Sequence, residues 1–171
     1  TGDVEPDPEI AAVVKQYIDK LDAELGIEIG TTETVLDSRR PVVRGGEAAM
    51  GNLIADAMRD ATGADIAMTN GGGIRGNREY PAGTKLTRKD ILTELPFDNK
   101  TVTIVMTGAE LVKALEHGFA ESDTTGGRFP QVSGMTVTVD VEKPVGHRVT
   151  SVMIDGASLD PAEEYILATN D

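Results

Sequence analysis

The chain has 171 residues, 39% of them hydrophobic and 26% charged, enough for one domain that buries roughly 70% of its unfolded surface without covalent staples. Its net charge of −13, from 16 Lys and Arg against 29 Asp and Glu, argues against nucleic acid or an anionic membrane as a partner. The absence of cysteine excludes disulfides and thiolate metal centres, and two histidines, His117 and His147, are too few for a multi-histidine metal site.

Residues 1–8 are rich in Gly, Pro and Asp and read as a linker, with Thr1 as an edge inside a longer protein. Neither a signal peptide nor a membrane-spanning run is present in the chain. Asp7-Pro8 is an N-cap with proline at the first helical position, and Ile10, Val13, Val14, Tyr17, Ile18, Leu21 and Leu25 recur at helical spacing up to Gly26. This amphipathic helix over 9–25 is either ordinary core or a connection to a preceding domain. Ile27–Leu36 is a strand candidate, and Arg39–Gly46 a polar loop. Met50, Leu53, Ile54, Ala57 and Met58 mark a second helix from Glu47 to Asp60. Ala64–Met68 reads as a buried strand.

The stretch that follows, Asn70-Gly71-Gly72-Gly73-Ile74-Arg75-Gly76, is the most distinctive in the chain. One glycine would serve a turn; three in succession leave the backbone bare and let it come close to something. Asn70 and Arg75 frame them with an amide and a cationic fork, which suits an anionic or heteroatom-rich ligand. Gly71, Gly73 and Gly76 fit G-x-G-x-x-G, but Asn77–Gly83 has turn chemistry where a dinucleotide fold needs a helix. Arg39, Arg40, Arg44, Arg75 and Arg78 cluster within 40 positions of an acidic chain, as a local anion site or as partners of neighbouring carboxylates.

Further on, Thr87 with Asp90 and Thr107 with Glu110 are capping boxes for helices at Arg88–Glu94 and to about Glu121. The second turns Leu111, Val112, Leu115 and Phe119 inward and leaves His117 as a surface or packing residue. Strands are expected at Thr101–Met106, Val132–Val141, Arg148–Ile154 and Tyr165–Ala168, with a turn at Asp155-Gly156. Helices and strands alternate irregularly, which predicts an α/β (α+β) mixed-sheet sandwich with helices packed on the sheets, preceded by a long linker helix.

Three elements occur in order: Arg40 and Arg44 before Gly51-Asn52-Leu53, the Asn70–Arg75 loop, and Leu95-Pro96-Phe97-Asp98-Asn99. Together they resemble the C-terminal, substrate-binding domain of the 5′-nucleotidase family, which includes UDP-sugar hydrolases and 2′,3′-cyclic phosphodiesterases. The resemblance runs from about Arg40 to Asp171 and takes in Gly127-Arg128-Phe129-Pro130-Gln131. It implies that residues 26–171 form the substrate-binding domain, cut short at its C-terminal end, and that 9–25 is an interdomain-type helix. It implies that Arg40, Arg44 and Arg75 face the carboxylate- or phosphate-rich side of the substrate and its ribose. Asn70 and Asn99 would contact the base and Phe97 would stack on it. Gly127 would approach the ligand through its backbone, as Gly72 and Gly73 would in the glycine loop. A second stacking aromatic is expected beyond Asp171. No residue is assigned to catalysis or metal binding. Two divalent metal ions are expected in a separate N-terminal metallophosphatase domain of the same protein, so that these residues alone hydrolyse nothing. The expected ligand is a nucleotide or nucleoside, with no nucleic acid and no membrane, and the implied location is extracellular, periplasmic or at the cell surface. Alternatives are a stand-alone nucleoside- or phosphate-binding module, or the same domain serving a UDP-sugar or 2′,3′-cyclic nucleotide. Asp56 reads as a structural acid that holds an arginine.

Overall fold

The computed structural model describes residues 7–171, so most of the linker expected over 1–8 lies outside the described residues. Helix α1 spans Pro8–Leu25. The Asp7 carboxylate caps it, accepting from the N–H groups of Glu9 (2.9 Å) and Ile10 (3.2 Å). None of its residues is buried; its apolar stripe is open, with Tyr17 65% exposed. It touches the domain through α4 (Arg88–Glu94), where Lys89 donates to Asp22 at 2.6 Å.

The centre is a four-stranded mixed sheet in the order β6 (Thr101–Thr107), β11 (Glu164–Asn170), β3 (Ile66–Asn70), β7 (Pro130–Ser133). Strands β11 and β3 run parallel, and the other pairs antiparallel. Both faces of β3 are buried, which is why Ile66 and Ala67 are apolar in succession. One face packs on α5 (Gly108–Phe119) and on a second sheet of β8 (Met135–Val139), β9 (Val149–Ile154) and β10 (Ala157–Ser158). Ile66, Leu111, Leu115, Phe119, Val152, Ile154 and Leu167 form the core between these layers. The other face packs on α3 (Ala49–Thr62) through Ala55, Ala67 and Ala168, small residues that bring helix and sheet close. Because α3 turns Gly51 and Ala55 inward with Met50 and Ile54, Leu53 faces out at 41% exposure rather than into the core.

The predicted strand at Ile27–Leu36 is two shorter ones, β1 (Glu28–Thr31) and β2 (Leu36–Asp37). They pair with β5 (Lys85–Thr87) and β4 (Glu79–Tyr80) respectively. The segment read as a polar loop contains a one-turn helix, α2 (Arg40–Val43), begun by Pro41. The single strand expected over Val132–Val141 is broken into β7 and β8 at Gly134, whose φ of +75° sends the chain from one sheet to the other. A third core of Leu36, Val43, Met50, Ile54, Ile74, Tyr80 and Leu86 ties α2, α3 and the small ribbons together.

Candidate functional site

The glycine triplet follows β3 directly as a 3₁₀ turn over Gly71–Gly73. Gly71 donates to Phe129 O (2.8 Å) and Gly72 to Gly127 O (2.7 Å). A Cβ on Gly71 would overlap the Val43 carbonyl, and one on Gly72 would overlap Gly127. Two of the three glycines are therefore required by close approach within the chain itself. Gly73 differs: a Cβ there meets nothing nearer than Asn70 Oδ1 at 3.5 Å. The Gly127 carbonyl also accepts from Asn70 Nδ2 (3.3 Å), which leaves Asn70 Oδ1 as what that side chain offers outward.

The turn carries Arg75 to the surface, where its guanidinium carbon lies 5.5 Å from the centroid of the Phe97 ring. Phe97 is 56% exposed and not a core residue. It stands on the loop after α4 and lines a cleft of about 840 Å³ together with Gly73, Asn99, Leu53, Ala57 and Asn170. Asn99 Nδ2 rests 3.5 Å from the Asp171 carbonyl oxygen.

Helix α2 brings in the other two arginines. Arg40 is exposed; Arg44 is 9% exposed, with its Cγ over Gly71 and its Nη1 beside Gly127. Arg44 Nε is the one buried side-chain polar atom among the described residues without a hydrogen-bond partner. Burial, and then repulsion from Arg40 and Arg75, holds its pKa below the ordinary arginine value. The five-arginine cluster divides in two. Arg39 pairs with Asp37 and Glu79, and Arg78 with Asp90 at 3.7 Å. Arg40, Arg44 and Arg75 enter no ion pair among the described residues. Three like charges gathered without an acid are poised for an anion.

Two residues with no role assigned from sequence support the site. Gln131, 1% exposed, donates through Nε2 to Val43 O (3.1 Å) and Gly46 O (2.8 Å) and accepts from Ala48 N–H (3.1 Å). It fastens the turn bearing Arg44 to β7. Glu94 is the second; its only sequence signal was a position three before Phe97. Asp56 holds the Ser133 hydroxyl rather than an arginine, and His117 is exposed. Among the described residues no three His, Asp or Glu side chains are grouped as metal ligands, so the residues here do not fit a dimetal centre. No described helix is long and apolar enough to cross a membrane.

Residues 28–171 match the model of the 5′-nucleotidase C-terminal domain. The chain belongs to that family. It is 35% identical over 175 residues to the trifunctional nucleotide phosphoesterase protein YfkN of Bacillus subtilis, covering 97% of this chain and 12% of that protein. It is 32% identical to the protein UshA of Escherichia coli, covering 99% of this chain and 29% of that one. The crystal structure of a 5′-nucleotidase precursor from Thermus thermophilus superposes with a TM-score of 0.82 at 33% identity, over 96% of this chain and 34% of that one. The chain thus spans about a third or less of the relatives it matches.

Proposed function

We propose that this domain holds the nucleoside end of a phosphorylated substrate, while a separate N-terminal domain with two divalent metal ions hydrolyses the phosphate ester. The observation that carries the reading is the Arg75–Phe97 pair, whose ring lines an apolar cleft, together with two more arginines, one of them close enough to be repelled by Arg75, and none with an acidic partner among the described residues. A ring that holds a guanidinium against its face is a surface on which a planar base stacks, whatever the base. Guanidinium forks beside it reach phosphate oxygens or ribose hydroxyls in bidentate pairs. Asn70 Oδ1, the Asn99 amide and the backbone at Gly72, Gly73 and Gly127 complete the proposed contact set. The relatives' names, a nucleotide phosphoesterase and 5′-nucleotidases, support a nucleotide as the ligand class. The same kinship supports a location outside the cytoplasm, and α1, whose apolar stripe is open, is suited to connect to the catalytic domain.

Titration calorimetry of the chain with adenosine 5′-monophosphate, adenosine and inorganic phosphate tests the reading. The monophosphate is expected to bind more tightly than either half. Equal affinities for the monophosphate and for free phosphate would remove the base-stacking role of Phe97.

A further inference from the structure

Glu94 is a carboxylate at 1% exposure with no cationic partner among the described residues. Burying such a group is costly unless several donors meet it. Three do. Its Oε1 accepts from Tyr80 OH (2.7 Å) and Ser38 Oγ (2.9 Å), and its Oε2 accepts from the Gly76 N–H (3.0 Å). Its own carbonyl accepts from the Arg75 N–H at 2.8 Å. The surrounding core is apolar, with Leu36, Ile74 and Leu86, so a leucine would suit packing alone. A Cβ on Gly76 would overlap this carboxylate, which puts the loop in direct contact with it.

The donors are placed according to the site. Ser38 stands two residues before Arg40, Gly76 one after Arg75, and Glu94 itself three before Phe97. One side chain therefore links the three segments that carry the candidate ligand groups. We propose that Glu94 is a positioning residue that locks the Arg75 loop against the Phe97 loop, so that the guanidinium and the ring are set in one geometry before a ligand arrives. This rests on the nucleotide-binding reading for its ligand, and on the hydrogen bonds alone for its action on the loop. Preorganised groups bind more tightly because less order remains to be imposed on binding.

The test compares Glu94→Leu, Glu94→Gln, Glu94→Asp and Tyr80→Phe in the full chain, by amide exchange, thermal melting and calorimetry with adenosine 5′-monophosphate. In Glu94→Leu, exchange at the Arg75 and Gly76 amides is expected to accelerate and the affinity to fall about tenfold, since a lost charge-assisted bond frees the loop. Glu94→Gln should restore both, because its carbonyl oxygen accepts from Gly76 while its NH₂ turns to the hydroxyl oxygens of Ser38 and Tyr80. Glu94→Asp keeps the charge but withdraws the acceptor, and should show the same loss more weakly if the leucine variant does not fold. Tyr80→Phe should lower the melting temperature and leave the affinity unchanged. Wild-type exchange at Arg75 and Gly76 in Glu94→Leu or Glu94→Asp would overturn the proposal. So would a loss of affinity in Tyr80→Phe as large as that in Glu94→Leu, which would mark a purely structural role. Failure of the wild-type chain to bind the monophosphate would refute the nucleotide reading instead, and the exchange data would still decide the role of Glu94.

Discussion

Replacing Arg44 by methionine should stabilise the ligand-free domain and weaken it as an anion receptor. Arg44 is 9% exposed, its Nε is unpaired, and Arg40 and Arg75 repel it. A buried polar group left without a partner costs about 1–3 kcal/mol. Methionine matches the length of the stem, is flexible enough to fill the same channel over Gly71, and removes both penalties. Losing the packed guanidinium gives some of this back, so a net gain of about 2 kcal/mol is expected. For a domain of this size that is a rise in melting temperature of roughly 4–8 °C. Melting should be followed at low salt, without and with phosphate or adenosine 5′-monophosphate. A ligand at a hundred times its Kd adds about 2.7 kcal/mol to whichever protein binds it, so saturating anion should reverse the order of the two proteins. A methionine variant that melts at or below the wild type without ligand would refute the idea that the arginine is held at a cost.

Phe97→Ala should weaken nucleoside-containing ligands by about 1–3 kcal/mol in calorimetry and leave free phosphate unaffected, because only the base uses the ring. Gly71→Ala should destabilise the domain by about 3 kcal/mol in urea melts, since its Cβ meets the Val43 backbone, which cannot move aside. Gly73→Ala, with its nearest atom at 3.5 Å, should stay within about 0.5 kcal/mol of wild type yet bind the monophosphate less well. Asp37 has its pKa lowered, first by its hydrogen bond with the Arg39 side chain. Its contribution is therefore present above the unfolded carboxyl value, near about 3.9, and is lost as pH falls through the lower folded value. The stability difference between wild type and Asp37→Asn should be full at pH 7 and vanish in strong acid; a difference that grows on acidification would contradict it.

The parts legible in sequence were those written in local code. Asp7-Pro8, Thr87 with Asp90 and Thr107 with Glu110 each place their caps where the helices begin. The short strands β2 and β4 were not legible, because they exist only by pairing Leu36 with Tyr80 and Asp37 with Glu79 across the fold. Helix α2 did leave a signal, proline at its first turn, overshadowed by the arginines around it. Within the candidate site, Arg40, Arg44, Arg75 and Phe97 stood out by residue type in an acidic, aromatic-poor chain. Glu94 did not, since one Glu among 29 acids looks like a solvated charge, and Gln131 appeared only as the end of the Gly127–Gln131 stretch, with nothing to mark it as buried. What distinguishes them is burial, and burial is decided by residues remote in sequence.

A chain with a net charge of −13 has carboxylates in ample supply, so three unpaired arginines need a reason. Several acids of the segments that carry them are already engaged. Asp37 and Glu79 hold Arg39. Asp90 accepts from the Thr87 N–H at 2.9 Å in the α4 capping box and pairs with Arg78. Glu94 is turned inward on Ser38, Tyr80 and Gly76. Glu47 holds the Asn52 amide at 2.7 Å, and Glu121 holds Arg128. Arg39 and Arg78 thus occupy Asp37, Glu79 and Asp90, and Glu94 is taken up by its three donors. Arg40 and Arg75 are left repelling Arg44 in a chain that is acidic overall. An anion bound as proposed would relieve that repulsion and give the buried Arg44 Nε group the partner it lacks, so that part of the cost of holding Arg44 would be returned on binding.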